Sequence, residues 1–431
     1  MLEAVSNFLR KSYIHTTTTM KTIQQNAFIV TGLGFGDEGK GLATDFLCLH
    51  HPNPLVIRFN GGQQAGHTVV TAEGKRHVFS NFGAGTLRGV PTYWSAYCTF
   101  SPGSFLKEYT ALRDLGLQPQ LWLDQLCAVT THYDVLYNQA LESARGNTRH
   151  GSCGMGFGAT VERHETSPVK LFAQDLLFPE GCLLKLRAIR EYYCQKLQNL
   201  PGFEFESFDH DAADQHFLQT THELLGLRQK EAIRFVTAAE VFSGKNSWQT
   251  FIFEGAQGIL LDMDFGFFPH VTRSNTCSKN AQALIRQYLK DQLSAAKMVY
   301  VTRAYQTRHG QGPMTHEATP LLLINNARET NQYNEHQGNF RVSPLDIDLL
   351  NYALRCDANY AYDLPKNLLI TCVDQLENNR VPYFKNNLPT SANYTQLPGL
   401  LETDFDKVWF SFSDCAENIT VTSIMYDSVG A

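Results

Sequence analysis

Residues Ala27–Thr31 read AFIVT, residues 32–41 read GLGFGDEGKG, and Leu42–Leu49 reads LATDFLCL. A short β-branched apolar run ahead of a glycine cluster predicts a buried strand, and the apolar spacing that follows predicts a helix. The loop between them fits the spacing G-x-x-x-x-G-K from Gly34 to Lys40. In such a loop glycine amides and a helix N-terminus surround phosphate oxygens while the lysine adds a point charge. Gly41 occupies the position where a Ser or Thr usually follows the lysine. Asp37 and Glu38 put two adjacent acids inside an anion-binding loop, which repels phosphate unless one of them holds Mg2+ or acts as a base. Glycine-rich strand-to-helix turns are common; the acidic pair beside Lys40 is what marks this one as a phosphate site.

The same grammar recurs along the chain. Leu55–Phe59 leads directly into Asn60-Gly61-Gly62, and further apolar runs occur at Thr250–Phe253, Met298–Val301 and Leu368–Thr371. Helical spacing is found at Phe105–Leu115, Leu183–Leu197, Ala281–Leu289 and Leu345–Leu354. Strands alternating with helices predict an α/β fold with a mainly parallel central sheet, a phosphate-loop-like strand-loop-helix and helical insertions. There is no internal repeat and no low-complexity linker. Residues 1–26 read as a peripheral N-terminal extension, with a polar Thr16–Thr19 run and Met20 as an alternative start, and residues 27–431 as the α/β domain. The polar stretch from Pro201 to Gly244 reads as an insertion on the sheet. Ligands of parallel sheets sit beyond the carboxyl ends of the strands, so the chemistry is expected in the loops after these runs.

Composition narrows the function classes. Of 431 residues, 36 are Lys or Arg and 42 Asp or Glu, a net charge of −6, which argues against a nucleic-acid-binding surface. Hydrophobic residues make up 43% and charged residues 18%, the balance of a soluble globular protein rather than a disordered chain. No run has the roughly 18 apolar residues of a membrane span, and the N-terminus lacks the apolar core of a secretory signal. The ten cysteines are scattered without Cys-x-x-Cys or zinc spacing, as free thiols of a reducing, cytoplasmic compartment.

The loop after the second run reads Asn60-Gly61-Gly62-Gln63-Gln64-Ala65-Gly66-His67-Thr68. Small residues admit a ligand to the backbone, and His67 can offer a ring N–H to a phosphate oxygen. These two loops together resemble the adenylosuccinate synthetase family, which joins IMP to aspartate at the expense of a nucleoside triphosphate. The resemblance continues through Phe253-Glu254-Gly255-Ala256-Gln257-Gly258 with Leu260-Leu261-Asp262, then Val271-Thr272 and Ser274-Asn275-Thr276. It extends to Ala304-Tyr305, Thr307-Arg308, Gly310, Gly312-Pro313 and Glu317.

The resemblance implies a ligase of purine biosynthesis that works as a homodimer with Mg2+, IMP, L-aspartate and GTP or ATP. Asp37 then removes the N1 proton of IMP, the 6-oxyanion attacks the γ-phosphate, and Mg2+ with His67 stabilises the gathering charge. Aspartate displaces the phosphoryl group. Asp37 and the backbone of Gly66 are the implied metal ligands, and Lys40 neutralises phosphate charge. Gly36, Glu38, Gly39, Lys40 and Gly41 line the nucleotide. Gln257, Leu261 and Thr272 match IMP-contacting positions, and Gln64 replaces the family's Asn with a longer amide. Ser152 and Cys153 replace two threonines of the phosphate-holding loop, at Gly151–Gly158 here. Arg163 is the candidate for the arginine that reaches the partner subunit's IMP phosphate; a salt-bridging role is its alternative.

Three stretches depart from the family. Its arginine-rich aspartate loop appears as Gln337-Gly338-Asn339-Phe340-Arg341-Val342-Ser343-Pro344-Leu345-Asp346, leaving Arg341 to bind the amino-acid carboxylate. The guanine-reading T-K-x-D is Thr371-Cys372-Val373-Asp374, which keeps the acid and loses the lysine. The G-P-D-R-like loop of the base pocket is expected at the C-terminus, where Ser428 and Gly430 stand. These departures leave GTP and ATP both open and resemble the archaeal and phage branch, some of whose members amidate dGMP. The phage enzymes carry a smaller residue at the catalytic acid, so Asp37 favours IMP over a 2-aminopurine. A non-catalytic nucleotide-binding paralogue is the alternative from outside enzymology.

Overall fold

The computed structural model describes residues 25–146, 151–198, 200, 203, 205–290, 293–327, 329 and 340–422. Ten strands form one sheet: β1 (Gln25–Gly32), β2 (Pro54–Arg58), β3 (Thr92–Trp94), β4 (Leu121–Asp124), β5 (Ile233–Val236), β6 (Thr250–Gly258), β7 (Leu293–Arg303), β10 (Lys366–Thr371), β11 (Lys407–Ser411) and β12 (Ile419–Thr422). The intervening pair β8 (Gln306–His309) and β9 (Phe340–Ser343) forms a separate antiparallel ladder. The order across the large sheet is β12-β11-β10-β7-β1-β6-β2-β3-β4-β5. Every neighbour is parallel except β11 and β12, so the expected mainly parallel α/β fold is the one observed.

The five apolar runs found by pattern are the five contiguous central strands, β10-β7-β1-β6-β2. Covered on both faces, they read as unbroken apolar segments: Ala27, Ile29 and Val30 are fully buried, as are Leu55, Val56 and Ile57. Gln25 and Asn26, assigned from sequence to the extension, already belong to β1. The Pro201–Gly244 stretch is more than an insertion, because it supplies the edge strand β5.

Helices pack on the sheet and beside it. Those that bear on the site are α1 (Lys40–His50), α2 (His132–Arg145) and α3 (Phe157–Thr166). The first follows the glycine loop as expected; the other two lie outside the helical runs read from the sequence. In α2, Thr131 caps the helix reciprocally with Asp134. All ten cysteines are unpaired and most are buried. No helix among the described residues is long and apolar enough to cross a membrane.

Candidate active site

Beyond the carboxyl ends of β1, β6, β2, β7 and β10 lies a cleft of about 1140 Å³. The glycine loop forms its floor. Gly39 takes φ 102°, and a Cβ there would stand 2.9 Å from Thr371 Cγ2, so only glycine fits. Gly258 closes on the loop from β6: a Cβ would lie 2.2 Å from the Gly34 carbonyl oxygen. Thr371 at the end of β10 donates its hydroxyl to the Glu38 carbonyl at 2.7 Å. Thr307 of β8 donates to the Gly36 carbonyl at 3.2 Å.

The two adjacent acids point in opposite directions. Glu38 is 3% exposed and turns inward, accepting from the Gly34 and Gly36 amides at 2.5 and 3.3 Å and from Lys40 Nζ at 2.8 Å. It is neutralised within the loop, which removes the phosphate repulsion that two free acids would create. Lys40 keeps two of its three N–H bonds for a ligand. Asp37, at φ 58°, instead faces the cleft. Arg303 fixes its backbone by donating Nε to the Asp37 carbonyl.

Opposite the loop, His67 Nδ1 lies 2.5 Å from Glu254 Oε1, both side chains being buried. Burial pushes the Glu254 carboxyl up, but His67 and Arg58 beside it more than offset this and hold it below its ordinary range. Burial, with help from Arg58 and Lys40, depresses the His67 ring against the pull of Glu254. An ionised Glu254 requires the proton on Nδ1, so the neutral ring offers Nε2 as an acceptor; it donates from Nε2 only as imidazolium. The ring N–H that the sequence leads one to expect for a phosphate oxygen is therefore available at Nε2 only in the imidazolium form.

Several buried polar atoms at the cleft have no protein partner: His67 Nε2, both amide atoms of Gln64, and Gln257 Oε1. Buried polar groups are almost always satisfied, so this set marks where a polar ligand belongs. Leu261 and Thr272 also line the cleft, joined by a 2.8 Å bond from the Thr272 amide to the Leu261 carbonyl. Ser152 and Cys153 lie on its rim, where Ser152 donates to Asn138 of α2 at 2.9 Å.

Arg163 is turned into the fold. It is fully buried, donating to both Asp134 carboxylate oxygens at 2.9 and 3.0 Å and to the carbonyls of Val169 and Val129. With these donors spent inside the fold, it pins α3 to α2, the salt-bridging alternative to its expected role. Gly66 lines the same cleft as Asp37. A carboxylate and a backbone carbonyl beside a phosphate cradle suit Mg2+, which uses one or two protein oxygens and completes its shell with phosphate and water.

On the far side, Arg308 lines the cleft. Arg308 and Arg341 are directly opposed in the β8–β9 register. Like charges so placed repel unless an anion intervenes. Arg308 is pushed down to about 10, by burial first and then by Arg341. Its Nε has no partner, while Arg341 donates to Glu317 and to the carbonyls of Gly310 and Gly312. Gln337, Gly338 and Asn339, the start of the expected aspartate loop, lie outside the described residues.

At the remaining end, Cys372 and Asp374 follow β10 and line the cleft with Ser413 and Asp414, which follow β11. The Asp374 carboxyl is raised by burial and further by Asp414. Ser428 and Gly430 lie outside the described residues; the loop beside Asp374 is the one carrying Ser413 and Asp414, fifteen positions or more before the expected place. Sequence reasoning also missed Arg303, His309 and Asn138, and gave Glu254 no role. The signal for Ser413 and Asp414 is the apolar run Val408–Phe410, another strand with a polar loop after it.

A family profile described as adenylosuccinate synthetase matches residues 29–380, well over half of the chain. The adenylosuccinate synthetase of Ralstonia pickettii (strain 12J) is 33% identical over 300 residues, covering 67% of this chain and 62% of the relative. That of Thermoplasma volcanium is 30% identical over 333 residues, covering 76% and 72%. The match thus spans about 62% of the length of the first bacterial relatives. Among solved structures, the fully ligated adenylosuccinate synthetase from Plasmodium falciparum superposes with a TM-score of 0.70 at 18% identity, covering 93% of this chain and 100% of that one. Cyanophage S-2L succinoaminodeoxyadenylate synthetase, bound to dGMP and to dATP as an energy donor, gives 0.60 at 16% identity, covering 92% and 95%. At such identities the two structures speak to the fold alone. The profile and the curated relatives decide the matter: this chain belongs to the adenylosuccinate synthetase family, ligases that form a C–N bond.

Proposed function

We propose that the protein condenses IMP with L-aspartate, driven by GTP, to give adenylosuccinate, GDP and phosphate. The observation that carries this reading is the division of labour in the glycine loop: Glu38 is consumed by Lys40 and the loop amides, while Asp37 is left facing the cleft. A 6-oxopurine is a poor electrophile, so its oxygen must first become a leaving group. Asp37 accepts the N1 proton, O6 attacks the γ-phosphorus, and the β–γ bridging oxygen leaves with GDP. The aspartate amine then forms the C6–N bond as the C6–O bond breaks, and O6 departs in the phosphate.

Charge gathers on the transferring phosphoryl group, and stabilising it there is the main task of the protein. Lys40 contributes its two remaining N–H bonds. His67, held by Glu254, donates Nε2–H once the triphosphate's charge favours the imidazolium. Mg2+, held by Asp37 and the Gly66 carbonyl, would neutralise phosphate charge. Gln64 and Gln257 offer their unpartnered amides to IMP, with Leu261 and Thr272 beside them and Ser152 and Cys153 toward its phosphate. The opposed Arg308 and Arg341 suit the carboxylates of aspartate, so Arg341 does not act alone.

For the donor, two neighbouring acids suit guanine, whose N1–H and exocyclic amine present adjacent donors; adenine offers only one amine. Asp374 with Asp414 therefore supports GTP over ATP, and Asp37 supports IMP over a 2-aminopurine. The test is an initial-rate matrix of IMP, GMP and dGMP against GTP and ATP at fixed aspartate and Mg2+. Phosphate release only with IMP, GTP and aspartate together is the expected result. Hydrolysis without IMP would make the protein an NTPase, turnover of dGMP with ATP would move it to the 2-aminopurine reading, and binding without turnover would make it a non-catalytic paralogue.

A further inference from the structure

His309 closes β8, between the motif residues Thr307-Arg308 and Gly310. Its ring packs on Phe340, its partner in the β8–β9 register, with centroids 5.1 Å apart. The side chain is 16% exposed and lines the cleft. Nε2 stands 3.5 Å from Asp37 Oδ2, at the outer limit of a hydrogen bond. Nδ1 is buried and has no protein partner. A ring needed only to pack on Phe340 gains nothing from a buried, unpaired nitrogen, and an apolar side chain would serve that purpose better.

The neighbouring contacts sharpen this. Thr307, two residues earlier on the same strand, holds the Gly36 carbonyl, and Arg303 at the end of β7 holds the Asp37 carbonyl. Those two fix the loop backbone, but neither touches the Asp37 carboxylate. His309 is the side chain aimed at it. We infer that His309 is a positioning residue for Asp37: Nε2–H engages Oδ2 and fixes the carboxylate rotamer, leaving Oδ1 for the purine N1–H. This rests on the proposed role of Asp37 and extends it to His309.

The test is a double-mutant cycle of His309→Leu and Asp37→Asn, with His309→Gln as the conservative rescue. His309→Leu should lower kcat about 10- to 30-fold and weaken IMP about threefold, while the KM values for GTP and aspartate stay within about twofold. Glutamine keeps a side-chain N–H at similar reach and should recover kcat to within about threefold of wild type. In the Asp37→Asn background, His309→Leu should change residual turnover by less than about twofold, because the group it positions is gone. Equal losses for Leu and Gln, or an undiminished loss in the Asp37→Asn background, would overturn the inference. The same cycle is read by calorimetric IMP binding, which needs no turnover. Wild-type protein inactive in the rate matrix but coupled at these two positions would sink the reaction and keep the positioning; an active enzyme without coupling would do the reverse.

Discussion

The two walls of the cleft are built on different principles. One consists of the loops after β1, β2 and β6, where backbone amides, glycines and their immediate neighbours make the site: Asp37, Lys40, Gln64, His67 and Gln257. The other consists of the end of β8 and the loops after β10 and β11, where side chains from distant segments converge: Arg308, His309, Asp374 and Asp414, with Arg341 of β9 paired to Arg308. Backbone cradles need fixed spacing, so the first wall is written in contiguous motifs. Converging side chains need no fixed spacing, and the second wall shows itself only in three dimensions. On the proposed function, the difference teaches that the phosphoryl chemistry sits on a contiguous backbone cradle, while the amino acid and the donor base fall to parts that can be exchanged separately.

The comparison can be broken at either wall. The largest effect is expected at the first: Asp37→Ala should lower turnover at least about 1000-fold with nucleotide affinity largely kept, since the group acts in the transition state. Activity near wild type in that variant would remove the proposed base. Next comes a residue that belongs to neither wall. Arg163→Ala leaves Asp134 buried without its partner and should cost about 3 to 5 kcal/mol in chemical denaturation. The surviving folded enzyme should show an unchanged KM for IMP; a selective rise would return Arg163 to the ligand.

At the second wall, Arg341→Ala should raise the aspartate KM about tenfold and the IMP KM less than about twofold. Equal rises in both would mean that the hairpin does not hold the amino acid. The smallest effect lies outside the cleft, at His164. Burial first, then Arg163, lowers its ring to about 4, and its Nε2 accepts from the Leu171 amide at 3.4 Å. A folded pKa below the unfolded value means that the unfolded chain binds more protons between roughly pH 4 and 6.5. Stability should therefore fall as pH drops from 7 to 5, and His164→Gln should reduce that fall by about 1 kcal/mol, allowing for the part-exposed ring. An identical pH slope in the variant would assign the dependence elsewhere.

The sheet repeats the lesson of the walls. Its five central strands are legible because burial on both faces forces uninterrupted apolar runs, as in Val30 and Ile57. The outer strands β3, β4, β5, β11 and β12 are short or mix polar with apolar residues, as Arg234 in β5 and Thr420 in β12 show, and pattern reading passes over them. Ser413 and Asp414, which follow β11, are therefore seen on the cleft only in three dimensions. In sequence Arg163 likewise looks available for a ligand until its buried counter-ion, Asp134, is seen across from it. The opposite orientations of Asp37 and Glu38 were invisible in sequence, because only the left-handed backbone at Asp37 separates their directions.

The central claim is that the purine oxygen itself carries the phosphoryl group away. IMP bearing heavy oxygen at O6, turned over with GTP and aspartate, tests it directly by mass analysis of the released phosphate. The proposed chemistry predicts one labelled oxygen in every phosphate and none left on the purine product. Unlabelled phosphate would mean that GTP is hydrolysed by water, and would contradict the account.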